Sequence, residues 1–202
     1  VNNPEVIWYT PVTGIWQTVW IEPVPAANHI AGITTRSDIR AGVLSVDVKT
    51  ARTGSDRVCV TLSADGKTLA ERSSMAGQPV HLAVEHPRLW SPDDPYLYDL
   101  TVTLVRDGRV IDRAESYAAL REIATGRDAN GIERMTLNGR PLFHFGPLDQ
   151  GWWPDGLYTA PTDEALLYDI RFTKQLGFNM IRKHIKVEPE RWYWHCDREG
   201  IL

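Results

Sequence analysis

The chain has 202 residues, with 22 basic and 26 acidic side chains and a formal net charge of −4. That near-balance leaves no electrostatic footprint for nucleic acid or an anionic membrane surface, so neither is expected as a partner. Hydrophobic residues at 43% and charged residues at 24% exclude a disordered or low-complexity chain, and no apolar run reaches the ~18 to 20 residues of a membrane-spanning helix.

The chain opens on Val1, and Gly200-Ile201-Leu202 reads as the start of a strand. Both ends are therefore expected to be cuts through a longer polypeptide, and the compartment is left unread. Cys59 and Cys196 sit singly in apolar patterns, which predicts two buried free thiols and no disulfide framework.

In chain order, residues 15 to 22 (IWQTVWIE) are rich in aromatic and β-branched types and read as a strand, with Trp16 and Trp20 on one face as sandwich core. Apolar residues then recur with period two in Val43–Val48, Val58–Leu62, Val80–Val84 and Leu100–Leu104, the mark of strands with one buried face. Asp65-Gly66 and Asp107-Gly108 supply hairpin turns. These elements predict an antiparallel, immunoglobulin-like β-sandwich over residues 24–124. Trp90, at its turn, is expected to anchor that turn against a neighbouring domain.

The period changes after two more turn signals, Asn130-Gly131 and Asn138-Gly139. A first strand is expected over Pro141–Phe145, followed by a loop rich in Gly, Pro and Trp. Thr162-Asp163-Glu164 caps a helix whose apolar positions are Leu166, Leu167, Ile170 and Leu176, closed by Lys174 and Gly177. Phe178–His184 reads as a second strand, and Pro189 to Gly200 as a second helix packed by Trp192 and Trp194. This βαβ alternation predicts a parallel sheet, with room for barely two of the eight units of a (β/α)8 TIM barrel. The chain is thus mainly β, a sandwich followed by the first units of an incomplete barrel over 125–202.

In parallel barrels the active face is built from loops after the C-terminal strand ends. The loop from Gly146 to Tyr158 lies there by this reading. Asp149, Gln150 and Asp155 offer groups that grip hydroxyl pairs, and Trp152 and Trp153 offer flat faces for a sugar or, as readily, packing against the rim. Arg182 and His184 fall at the end of the second strand. Lys183 points to the opposite side of that strand, toward solvent or an interface. His195-Cys196-Asp197 holds metal-ligand types, but neighbours on a helix point apart, so no metal site is expected, and no cofactor motif is present.

Four stretches carry a resemblance. His86-Pro87-Arg88-Leu89-Trp90-Ser91-Pro92 with Pro95-Tyr96-Leu97-Tyr98-Asp99-Leu100 resembles the LWSP turn and strand of glycoside hydrolase family 2, which includes β-galactosidases, β-glucuronidases and β-mannosidases. Gly14–Glu22 resembles the last strand of that family's sugar-binding jelly roll, which would occupy residues 1–23. Leu137-Asn138-Gly139-Arg140-Pro141-Leu142-Phe143 resembles the opening of its barrel. Gly177–His184 with Pro189, Trp192-Tyr193, Asp197 and Gly200-Ile201-Leu202 resembles the signature N-x-x-R-x-x-H-Y-P…D-x-x-G-L, except that Ile185-Lys186 stands where many members have Tyr-Pro.

The resemblance implies a retaining exo-β-glycosidase acting on terminal β-linked sugars, with a carbohydrate as substrate and the remaining domains of the parent chain as partners. A homo-oligomer is left open. It implies that Arg182 keeps the nucleophile ionised, that His184 lines the sugar subsite, and that Asp149, Gln150, Trp152, Trp153 and Asp155 bind substrate. Both catalytic carboxylates of such an enzyme are Glu on later strands, the acid/base preceded by Asn. The chain contains no Asn-Glu pair, so no catalytic residue is expected within it and the segment by itself should be inactive. A non-catalytic carbohydrate-binding or spacer module, or a degenerate family member, are the alternative readings.

Overall fold

The computed structural model describes residues 4–6 and 8–202. Of the segment 1–23 assigned above to a jelly roll, residues 1–3 and 7 lie outside the described residues. The chain divides into two compact units, one of Glu22–Phe143 and one of the N-terminal stretch up to Ile21 together with His144–Leu202.

The first unit is a sandwich of seven strands: β1 (Ile30–Asp38), β2 (Val43–Thr50), β3 (Arg57–Ala64), β4 (Lys67–Met75), β5 (Val80–Ala83), β6 (Tyr98–Arg106) and β7 (Arg109–Ala118). One sheet runs β1-β2-β5 and the other β4-β3-β6-β7, with every neighbouring pair antiparallel. Alternation decides which side chains meet. Leu44, Val46 and Val48 of β2 and Val80 and Leu82 of β5 pack with Val58, Val60 and Leu62 of β3 and Leu100, Val102 and Leu104 of β6. Full burial of each such side chain is worth roughly 1.5 to 3 kcal/mol. The Asp65-Gly66 and Asp107-Gly108 turns hold both residues at positive φ, the twist that a two-residue hairpin requires.

Polar groups fasten the long connection between β5 and β6. The Tyr98 hydroxyl accepts from the Arg88 amide at 2.8 Å and donates to the Arg88 carbonyl at 3.2 Å, a tyrosine corner. Arg88 forks onto Asp94 at 2.6 and 2.8 Å. Trp90 is fully buried, lies under the Arg121 guanidinium, and has its carbonyl bound by Asn138 Nδ2 at 3.0 Å. Asn138 joins β9 (Glu133–Leu137) to β10 (Arg140–Pro141), which with β8 (Ile123–Arg127) form a small antiparallel sheet. Trp90 therefore anchors its turn to this hairpin, inside its own unit.

The second unit contains β11 (Leu148–Asp149), α1 (Asp163–Gln175), β12 (Arg182–Lys183) and α2 (Glu190–Glu199). β11 and β12 pair in parallel, Leu148 beside Arg182 and Asp149 beside Lys183. Thr162 caps α1 by accepting from the Ala165 amide, Asp163 and Glu164 place negative charge in its first turn, and Gly200 closes α2 in the left-handed conformation. Leu166 and Ile170 of α1 meet Trp192 and Cys196 of α2 and Ile201 in a small core, with Trp153 and Ile181 against it.

Several expectations change. Residues 15–22 form no strand, because a strand needs a neighbour and none among the described residues pairs with them. Trp20 is 71% exposed, and Trp16 packs edge-on against Tyr158 of the second unit, so neither is sandwich core. The ladder of the first parallel strand begins where it was expected to end. Asn179, Arg182 and His184 donate their amides to the carbonyls of Phe145, Pro147 and Asp149, and the second strand is trimmed to Arg182–Lys183. Leu202 exchanges two backbone hydrogen bonds with Asn179 and Ile181, a parallel rung that fits the predicted strand start. Cys196 is buried, whereas Cys59 is partly exposed on the outer face of β3. No helix among the described residues is long and apolar enough to cross a membrane.

Candidate functional site

The parallel pair sorts its residues onto two faces. Asp149 and Lys183, side by side in the register, turn toward the helices, while Leu148 and Arg182 are exposed on the other face. On the helix side the Lys183 ammonium bridges Asp149 Oδ2 and Glu188 Oε1, both at 2.6 Å, and lies 3.9 Å from the Trp192 ring centroid. Lys183 therefore lies on the opposite side of β12 from Arg182, as expected, but packs against the helix side rather than meeting solvent. Cation, two carboxylates and ring offset much of the cost of burying one another.

Beyond β12 the chain alternates with an inverted sense. Ile185 and Val187 are 74% and 68% exposed, while Lys186 and Glu188 are buried. Ile185 has φ 55°, a region that β-branched residues rarely enter, and this kink turns the following lysine under the loop. Lys186 Nζ donates to the carbonyls of Gly151 at 2.7 Å and Tyr158 at 2.8 Å and stands 3.2 Å from Glu188 Oε1. Burial pushes its pKa down, with Glu188 opposing that shift. Asp169 of α1 is raised by burial and by the nearby Asp149 charge.

The loop itself is held at several points. Asp149 Oδ1 accepts from the Gly151 amide at 2.6 Å. Gly151 has φ +62°, and a Cβ there would meet Glu188 Oε1 and, at 2.7 Å, Lys186 Nζ, so only glycine fits. Trp152 stacks on Tyr9 with centroids 4.6 Å apart and tilts toward Tyr158. Trp153 joins the helix core, its buried Nε1 without a hydrogen-bond partner. Asp155 is exposed and accepts from the Gly156 amide. Gln150 and His184 are half-buried near the strand ends.

The structure thus brings Asp149, Gln150, Trp152 and His184 to one end of the parallel pair and sets Arg182 on its opposite, exposed face. Counted from Asn179 and Arg182, the signature's His position falls on Ile185, one residue beyond His184. Lys186 and Glu188 were missed by the sequence reading. Their signal was the alternation Ile185-Lys186-Val187-Glu188, legible as a period but with charges inside. A second feature was missed as well: a cleft of about 540 Å³ lined by Trp16, Thr159, Asp163, Leu166, Pro189 and Arg191. Its polar edge is already paired, Asp163 holding Arg191 and buried His195, each at 2.9 Å, which keeps the Asp163 pKa low. Among the described residues no group of acidic, His or Cys side chains could hold a metal ion.

Residues 28–121 match the model of the glycosyl hydrolases family 2. It is 26% identical over 195 residues to a β-galactosidase of Lactococcus lactis, covering 94% of this chain and 18% of that protein. Its fold is similar to a family 2 member from Bacteroides cellulosilyticus, with TM-score 0.73, 24% identity and coverage of 87% of this chain and 26% of the other. It is similar too to the Ruminococcus gnavus β-glucuronidase, with TM-score 0.74, 22% identity and coverage of 87% and 29%. The chain spans about a fifth of the length of the curated relatives it matches.

Proposed function

We propose that the protein is a retaining exo-β-glycosidase that removes terminal β-linked sugars, and that this chain supplies part of the substrate-facing end of its catalytic domain. The observation that carries the reading is the family 2 match over the sandwich, continued in the same chain by a parallel strand pair with Arg182 on its exposed face. A guanidinium there stands free to face a carboxylate nucleophile and keep it ionised. On this reading Asp149 acts through the loop it orders, because both of its oxygens are engaged by Gly151 and Lys183. Gln150, Trp152 and His184 are the side chains left to meet a sugar.

The two carboxylates that such chemistry needs, about 5 to 5.5 Å apart, are assigned to polypeptide beyond this chain. Expression of residues 1–202 and of the longer reading frame, each assayed on nitrophenyl β-galactoside and β-glucuronide, tests this. Turnover is expected only from the longer protein, and Arg182→Ala in it should lower kcat at least about 100-fold. Turnover by residues 1–202 alone, or an unaffected Arg182→Ala enzyme, would overturn the assignment.

A further inference from the structure

We propose that Lys186 is the positioning residue of the 151–158 loop, a buried ammonium that ties the two ends of the loop together and so sets the aromatic surface offered to substrate. The inference rests on the glycosidase reading for the word substrate and on geometry for the rest. Gly151 and Tyr158 bracket the segment 151–158 of the connection between β11 and α1, and both of their carbonyls accept from the one Nζ. No backbone pairing joins those two residues; the loop's own rung is Trp153 with Leu157. Without the ammonium, two carbonyls would lose a charge-assisted donor in a nearly dry setting, since the Lys186 side chain is 1% exposed.

The lysine is itself held in place by Glu188 and Tyr158. Glu188 balances its charge, the Tyr158 ring lies 4.6 Å away, and the Tyr158 hydroxyl bonds the Ile185 carbonyl at 3.3 Å. The positive φ of Ile185 is backbone strain, which persists only where the surroundings over-determine it. Gly151, where any Cβ would strike this head group, completes the fit. What the clamp fixes is Trp152, adjacent to one tied end and tilted against the residue at the other. A loop held in its binding conformation before the ligand arrives loses less entropy on binding.

The test uses the longer protein, comparing wild type with Lys186→Met by hydrogen exchange and by kinetics on the preferred nitrophenyl glycoside. Amides of 151–158 are expected to exchange at least about tenfold faster in the variant, while those of β2, β3 and β6 stay unchanged. KM should rise about tenfold with kcat within about threefold, because the clamp shapes binding and touches no reacting atom. Should Lys186→Met fail to fold, Lys186→Gln, whose amide can still reach one carbonyl, is expected to give a smaller opening of the same loop. Unchanged exchange in 151–158, or a loss in kcat with KM constant, would overturn the proposal. An inactive wild type whose loop still opens on substitution would overturn the glycosidase reading and uphold the clamp.

Discussion

Asp56 is one carboxylate through which the sandwich responds to acid. It is 1% exposed, grips Arg106 through two hydrogen bonds at 2.6 and 2.8 Å, and accepts from Asn28 Nδ2 at 2.7 Å. The Arg106 pair, then the Asn28 bond, hold its pKa down to about 2. A folded-state pKa below that of the unfolded chain, ~3.9, stabilises fully above ~4 and is lost as pH falls through about 2. The melting temperature is therefore expected to fall between pH 4 and 2, and Asp56→Asn to lower it at pH 7 while flattening that slope. An equally steep slope in the variant would remove Asp56 as its cause. At this scale the sequence was legible where a residue acts through its neighbours in the chain, as Thr162 and Gly200 do. It was opaque where partners are distant: Asp56 meets Arg106 fifty positions away, and Lys183 finds Asp149 thirty-four positions away. The side of the strand to which Lys183 points was read correctly, but the partners that bury it there were not.

Secondary-structure elements were legible in proportion to how much of their stabilisation is local or periodic. β2, β3, β5 and β6 follow from alternation and α1 from its cap and its apolar spacing, whereas β1, β4 and β7, with almost no buried position, carry no such signal. Its cap offers a clean measurement. Thr162→Ala removes the acceptor for the Ala165 amide and is expected to cost about 1 kcal/mol by urea unfolding, with Thr162→Ser recovering most of it. A loss equal in both variants would point to packing of the methyl group instead. The aromatic segment 15–22 shows the opposite case. Its residue types favour a strand, but propensity in sheets stands in for packing against neighbours, and no strand among the described residues pairs with it. β12 is short for a related reason: the parallel ladder from Asn179 to His184 is made, yet its rungs are flanked by the kink at Ile185.

Taken whole, the molecule joins a large apolar core to a small one. Fifteen buried residues make up the sandwich cluster, against five in the cluster around α1 and α2, so the second unit has far less apolar burial to set against its chain entropy. The sandwich was readable because its core is complete within consecutive strands. The parallel unit was readable only as a pattern, since its contacts draw on residues as far apart as Trp16 and Thr159. The placing of one cysteine in each unit makes the difference in cohesion chemically addressable. Cys59, partly exposed with a thiol pushed up by burial, should react slowly with a disulfide reagent in the folded protein. Cys196 should stay silent until α2 detaches. As urea rises, modification of Cys196 is expected before the β-sheet circular dichroism declines; coincident transitions would mean that the two units unfold as one. The chain thus carries one thiol per unit, the outer one reactive in the native state and the buried one a native clock for the release of α2, read without adding a label site.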